Sequence, residues 1–538
     1  MTLLKLTVAG ETDSPVTLTR PPERRLSWAR LVSLLQAWSA WARRRWAFLT
    51  VLSIAALLRC WQLNGLGFNS DEAVYAGQAA SIAGQDAYLP YFPIFRAHPL
   101  LFQALLSVPY RFGVADIVGR LLAAAFGVAT VVLVYHLGNL LYGHRAGIAA
   151  MALLAVMPYH VTVSRQVLLD APMVFFATAA LHALVRYCSH HGTRWLLAAG
   201  ALMGLAIITK ETAIVLFGGV YCFFVLNQTV KIRLKRAAQA MATAGVIAIA
   251  FPLALRLAGA TRSGGNYLVW QLTRRANHPM DFYLTSVPMV IGPLVLALAV
   301  IGLVLDRKRL NWREGLLVSW CVVPILFFTL MPIKGFQYLL PLAPPIAVLA
   351  ARALTSAEIW SRFTPRIPHR RAVIQNGALV LVALTLLVPA WLAIRPSTDQ
   401  VFLAGTGGLP AGREAGTWID NNVPRGSALM TIGPSMANVT AFYGHRQAYG
   451  LSVSPNPLNR NPSYTAIENP DLQLRDGAIQ YEVWDSFSAA RSPNFAKRLQ
   501  EYVKTYDGIV IHSETVQLDN GSGPTTIRPL IIVYELRP

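Results

Sequence analysis

Long apolar runs separated by short polar breaks fill the chain from about residue 45 to residue 394. A helix needs roughly 20 such residues to cross the hydrocarbon core of a bilayer. The pattern predicts spans near 45–63, 118–142, 146–160, 170–187, 195–208, 211–226, 238–258, 285–305, 314–331, 336–354 and 373–394. These make about eleven transmembrane helices, the third and fifth being the shortest. One long polar interruption, the loop 64–117, follows the first span. Within it, Ala73, Val74, Ala76, Ala80 and Ile82 give the stretch 71–84 a partly apolar helical face, as in a helix lying along a membrane surface. A second such segment runs over 97–112.

From residue 395 onward no run reaches membrane length. The text becomes rich in Asn, Pro and Gly, and short apolar stretches alternate with helical ones. Helices are predicted at 411–422, 435–443 and 494–505, and strands at 428–432, 508–512 and 529–536. This is an α/β pattern of ordinary single-domain size. The fold class that follows is a polytopic α-helical membrane protein with a C-terminal extracytoplasmic α/β domain. The chain divides into an N-terminal segment 1–44, a transmembrane domain 45–394 and the α/β domain 395–538.

Composition supports this division. Of 538 residues, 54% are hydrophobic and only 14% charged, against about 25% charged in an average soluble protein. The net charge of +21 is gathered in short loops rather than spread over a face. Arg24, Arg25 and Arg43–Arg45 precede the first span. Lys231, Arg233, Lys235 and Arg236 follow the sixth, Arg307–Arg309 and Arg313 the eighth, and Arg362, Arg366, Arg370 and Arg371 the tenth. With eleven spans all four clusters fall on one side, which the positive-inside rule makes cytoplasmic. The N-terminus is then cytoplasmic, and the loop 64–117, the loop 259–284 and the α/β domain lie outside. No nucleic-acid partner is needed to explain the basicity. Cys60, Cys188, Cys222 and Cys321 sit in or beside apolar segments without metal-ligand spacing, so no disulfide framework is expected. The first apolar run lacks a small-residue cleavage pattern and reads as a retained anchor.

Ionisable residues at a membrane boundary are costly and mark function. Asp71 and Glu72 follow the first span; adjacent helical residues point about 100° apart, so the two carboxylates can hold different jobs. The stretch Asn69-Ser-Asp71 also suits a plain helix cap. Arg165 and Asp170 lie between the third and fourth spans, Lys210 and Glu211 between the fifth and sixth, and Lys334 and Tyr338 at the start of the tenth. A snorkelling lysine paired with its neighbour Glu211 is the bland reading of Lys210. His98 and His278 occupy the outer loops. Mapped by topology, these residues share the outer boundary. Acids and cations there suit transfer from an anionic lipid-linked donor, in which cations stabilise a phosphate leaving group and a carboxylate deprotonates an incoming hydroxyl.

Several motifs extend this reading: Asn69-Ser-Asp-Glu-Ala-Val-Tyr75, His98-Pro-Leu-Leu101, Gly119-Arg-Leu121, Tyr142-Gly-His-Arg-Ala-Gly147, Ser164-Arg-Gln-Val-Leu-Leu-Asp170, Gly204-Leu-Ala-Ile-Ile-Thr-Lys210 and Tyr338-Leu-Leu-Pro341. In this order, over about residues 45–355, they resemble the C-type (GT-C) membrane glycosyltransferases, in the branch of protein O-mannosyltransferases and lipid A aminoarabinose transferases. The resemblance implies a polyprenyl-phosphate-linked sugar donor and inverting transfer on the outer face of the plasma membrane. It implies Asp71 as catalytic base, Glu72 and Asp170 as acidic site residues, and Arg165, Lys210, Lys334, Tyr338 and His98 around the donor phosphate. Gln337 stands where the family usually has Arg, and His98-Pro-Leu where it often has two prolines. Use of a divalent metal stays open, with His278 a candidate ligand. The acceptor stays open among glycan, lipid and protein. A lipid-linked sugar flippase is the alternative, but it should carry charges near the bilayer midplane and paired broken helices in related halves, which the pattern lacks.

Overall fold

The computed structural model describes residues 45–259, 267–273, 275–307, 311–362, 368–395, 408–457, 459–518 and 526–537. The N-terminal segment 1–44, with Arg24, Arg25, Arg43 and Arg44, and Arg262, Arg274, Arg309 and Arg366 lie outside the described residues.

Each predicted apolar run contains a helix. Among the described residues six helices are long and apolar enough to cross a membrane, seven if one bent pair is a single span, and four shorter apolar helices accompany them. The long ones include Asp116–Tyr142, Asp170–His190, Trp312–Leu330 and Arg370–Ile394. Two predicted spans are broken. The run 285–305 divides into Phe282–Ile291 and Pro293–Leu305, bent by 95°, because Gly292 takes φ 100° and Pro293 cannot continue the preceding hydrogen-bond ladder. The run 146–160 stops at Val156 and restarts at Pro158 for the same reason. Small residues set the close helix pairs. A Cβ on Gly138 would sit 3.0 Å from the Gly147 Cα, so Asp116–Tyr142 and His144–Val156 meet through bare backbone, as packed membrane helices do.

The loop 64–117 is ordered by two helices, Ser70–Ile82 and Leu101–Tyr110. Asn69 caps the first: its side chain accepts from the backbone N–H of Asp71 and of Glu72, and the Glu72 carboxylate accepts from the Asn69 N–H. This reciprocal capping box fixes where the helix starts.

The C-terminal α/β region builds a five-stranded sheet from β1 (Ala428–Thr431), β2 (Gln447–Gly450), β3 (Tyr481–Asp485), β4 (Ile509–Leu518) and β5 (Thr526–Glu535). The order is β2-β1-β3-β5-β4; β1 runs parallel to β2 and β3, and β5 antiparallel to β3 and β4. The predicted helices and strands all appear, but β2 and β3 were not expected from the sequence pattern. Alternate residues serve two cores. Met430 joins Ile432, Leu499 and Tyr502 on one face. Leu429 and Val483 face the other, where Met436, Phe442, Phe68, Phe92 and Phe102 complete a single cluster. The loop 64–117 and the α/β region thus share one hydrophobic core.

Candidate active site

Local sequence places Asp71 in the first turn of helix Ser70–Ile82, two residues past the Asn69 cap. It stays half-buried while Glu72 beside it is fully buried. Burial pushes the Asp71 carboxyl above its ordinary range; the Lys210, His98 and Arg96 cations pull it back, and Asp170 pushes it further up. A carboxylate made more basic by its surroundings is a better proton acceptor.

Around Asp71 stand two ion pairs that the linear sequence does not announce. Lys210 donates to both Asp170 carboxylate oxygens, at 2.8 and 2.9 Å. Glu211 pairs instead with His98 Nδ1 at 2.8 Å. Neighbours in sequence therefore serve different partners, and the bland alternative of a Lys210–Glu211 pair is not the arrangement the structure makes. The backbone explains this. Helix Thr193–Thr209 ends at Lys210, and a 3-10 turn from Glu211 to Ile214 starts the next, which turns the two side chains apart. The Lys210 ammonium also lies 5.2 Å from the Tyr338 ring centroid, a cation–π arrangement. The His98 ring meets Tyr75 edge-on at 6.0 Å. Asp71, His98, Asp170, Lys210 and Tyr338 thus form one connected group.

Other candidates fall elsewhere. Glu72 accepts from Arg120 Nε and Nη2 at 2.9 and 2.8 Å, and from the Val167 N–H at 3.0 Å, besides the cap. Its oxygens are occupied and sealed from solvent, so it holds the helix start in place rather than meeting substrate. Arg165 spends its guanidinium on the carbonyls of Leu58 and Trp61, at 2.7 and 2.6 Å, closing the end of the first helix. Lys334 is buried; its ammonium donates to the Met331 carbonyl at 3.1 Å, and no carboxylate pairs with it among the described residues. A buried cation without an acid suits an anionic ligand. Gln337 keeps Oε1 buried and without a hydrogen-bond partner among the described residues.

His278 stacks on Phe282, with centroids 4.1 Å apart. Burial and the nearby Arg491 and Lys334 cations hold it below the usual imidazole range. Among the described residues no group of three or more His, Cys, Asp and Glu side chains converges to hold a metal ion. His278, stacked on a phenyl ring, belongs to no such group among the described residues.

Three residues that sequence reasoning passed over border the site. Arg120, seen only as part of Gly119-Arg-Leu121, carries the buried pair with Glu72. Arg96 faces Asp71 electrostatically. Asn438 of the α/β region donates to Ser70 Oγ at 2.9 Å. The signal available for Arg120 was an arginine at the start of an apolar span, where an unpaired charge is costly; nothing local distinguished Arg96, and Asn438 stands out only as the start of Asn438-Val-Thr440, a short N-glycosylation pattern that says nothing of this site.

Comparison with known proteins places the fold. Residues 97–255 match the family model described as dolichyl-phosphate-mannose-protein mannosyltransferase. Dolichyl-phosphate-mannose–protein mannosyltransferase 1 of Saccharomyces cerevisiae is 37% identical over 99 residues, which are 17% of this chain and 12% of that protein. ArnT from Cupriavidus metallidurans in the apo state superposes with a TM-score of 0.66 at 16% identity, covering 92% of this chain and 98% of that one. The same protein bound to undecaprenyl phosphate gives 0.63 at 15% identity, over 91% and 98%. The oligosaccharyltransferase AglB from Archaeoglobus fulgidus, in complex with an inhibitory peptide and a dolichol-phosphate, gives 0.55 at 14% identity, over 91% and 74%. The chain therefore has the fold of the GT-C membrane enzymes, and within it residues 97–255 are similar in sequence to the dolichyl-phosphate-mannose-protein mannosyltransferase family.

Proposed function

We propose that the protein is an inverting glycosyltransferase that moves a sugar from a polyprenyl-phosphate donor to a hydroxyl acceptor on the outer face of the plasma membrane, with Asp71 as general base. The observation that carries this reading is a half-open, basicity-raised Asp71 beside the buried Lys210–Asp170 pair and the partly exposed His98–Glu211 pair, at the end of an apolar bundle. The polyprenyl-phosphate ligands in the ArnT and AglB structures support the donor class.

In the proposed step Asp71 takes the proton of the acceptor hydroxyl. The freed oxygen lone pair attacks the anomeric carbon as the bond from that carbon to the phosphate oxygen breaks. The electron pair leaves with the polyprenyl phosphate, which departs as an anion and needs no general acid. Inversion follows from attack opposite the leaving group. Lys334 and Lys210 supply positive charge for the phosphate, the arrangement that stabilises charge developing in a transition state. Tyr338 and Asp170 hold the Lys210 ammonium in place.

The test is reconstitution of the full chain in vesicles with a panel of polyprenyl-phosphate sugars and a cell-envelope fraction. The expected result is release of polyprenyl phosphate coupled to a new glycosidic bond. Movement of intact donor across the bilayer without bond cleavage would replace the transferase with a flippase.

A further inference from the structure

A cavity of about 270 Å³ lies between the segment 90–96 of the long loop and the α/β region. Its walls include Tyr91, Arg96, Asn438, Gln447, Tyr449 and Tyr464. We propose that this cleft receives the acceptor, and that the acceptor is a glycan end; the inference rests on the transferase reading above and assigns the α/β region its role in it.

Position is the first argument. Asn438 on the cleft wall donates to Ser70 Oγ at 2.9 Å, and Ser70 is the residue before Asp71. Arg96, on the opposite wall, is one of the cations acting on the Asp71 carboxylate. Two wall residues, one of them from the α/β region, therefore reach the helix turn that carries the base. Lys210, Asp170 and Tyr338 approach from the membrane helices. Two substrates can then meet at Asp71 from two directions, a lipid-linked donor from the bilayer and a water-borne acceptor from the cleft.

The lining is the second argument. Among the described residues that form the cleft there is no Asp, Glu or Lys, and the cation Arg96 already donates to the Ser463 carbonyl at 3.1 Å and lies 5.3 Å from the Tyr464 ring centroid. The walls otherwise present tyrosine rings, prolines and side-chain amides. Tyrosine combines an apolar face with a hydrogen-bonding tip. Asn and Gln each offer donor and acceptor groups side by side. Together they match a sugar ring, whose faces are C–H surfaces and whose rim is vicinal hydroxyls. A cleft of this size, at the small end of the roughly 300–1,000 Å³ typical of ligand pockets, suits one or two sugar rings. Acyl chains would want a longer apolar groove, and a basic peptide would want acids.

The cleft is also rigid. Tyr91 donates through its hydroxyl to the His445 carbonyl at 2.7 Å. A Cβ on Gly450 would sit 2.6 Å from the Pro434 nitrogen, so β2 and the helix Pro434–Gly444 are in backbone contact at the wall.

The experiment measures binding, so that it is independent of turnover. The full chain in nanodiscs is applied to an array of mannose-, arabinose-, glucose- and N-acetylhexosamine-based oligosaccharides, and in parallel to an array of Ser- and Thr-containing peptides. The expected result is retention on at least one oligosaccharide, weakened about tenfold by Tyr449→Ala and by Tyr464→Ala. Tyr449→Phe, which keeps the ring, should lose less than Tyr449→Ala, which separates ring stacking from misfolding. No retention on any oligosaccharide, retention indifferent to both tyrosines, or tyrosine-sensitive retention only on peptides would overturn the proposal. If the chain binds glycans in this way but never transfers sugar, the transferase reading fails while the glycan cleft stands.

Discussion

Adjacent carboxylates with opposite surroundings carry the account at the scale of single residues. Asp71 is half open and faces three cations, whereas Glu72 is sealed and fully paired with Arg120. Removing each should therefore fail differently. Asp71→Asn should leave the amount of folded protein in the membrane unchanged. Glu72→Ala leaves Arg120 buried without its partner, a change that costs about 3–5 kcal/mol, and should deplete the protein from the membrane; equal yields for both variants would contradict the division of roles. The pH profile follows from the same site. The proton acceptor must be ionised, and burial raises the Asp71 pKa above its usual 3.8, so the acid limb of the rate should lie above the ordinary carboxylate range. Lys210→Met removes a cation that lowers this pKa and should move the limb to higher pH. A second titration belongs to the α/β region. Glu482 is fully buried with neither carboxylate oxygen hydrogen-bonded among the described residues, and burial pushes it up from 4.5 to about 9. The folded state thus holds a proton that the unfolded state releases at lower pH. Stability from this group is complete below about 4.5 and falls as pH rises toward 9. Glu482→Gln should flatten that decline in thermal melts between pH 5 and 9; an unchanged slope would contradict it.

The decisive secondary-structure element is the helix Ser70–Ile82, because its first turn fixes where Asp71 points. Asn69→Ala removes one half of the capping box, worth about 1 kcal/mol, and should lower kcat without changing donor KM. A drop in KM-dependent terms alone would show that the cap does not orient the base. Much of this element was legible: Asn69-Ser-Asp before an apolar face marks a helix start, and Glu72 at the third position completes the box. The apolar runs were legible too, since each contains a helix. Their breaks at Pro158 and Gly292-Pro293 were overlooked because hydropathy averages across a single punctuating residue. β2 and β3 escaped for physical reasons. β2 has only four residues, and β3, Tyr481–Asp485, carries Glu482 and Asp485, two acids that read as solvent-facing but are buried in the sheet. Ion pairs between elements were beyond the sequence pattern altogether. Lys210 and Asp170 are 40 positions apart, and their 2.8 Å contact exists only once two helices pack.

Taken as a whole, the molecule joins its membrane bundle to its α/β region around the long loop. Arg413 donates to Asp116 Oδ2 at 2.7 Å and to the Leu66 carbonyl at 2.9 Å, and Tyr443 hydrogen-bonds the same Asp116 oxygen. Asp116 opens the helix that also bears Arg120, the partner of Glu72. The α/β region is therefore clamped to the frame that holds the base. Arg413→Ala should reduce transfer severalfold while leaving donor binding intact; loss of donor binding as well would place the clamp's effect in the bundle instead. The proposed orientation is checked by cysteine substitutions at Asp71 and at Lys497, an exposed position of the α/β region, both of which should label from outside the cell, and opposite accessibility would break the topology. The central claim rests on one carboxylate. The most direct measurement is single-turnover sugar transfer by the Asp71→Asn chain, reconstituted with polyprenyl-phosphate sugar and acceptor at saturating donor. The account predicts a rate lowered by about 10²–10⁴-fold with donor affinity unchanged, and a wild-type rate in that variant would contradict it.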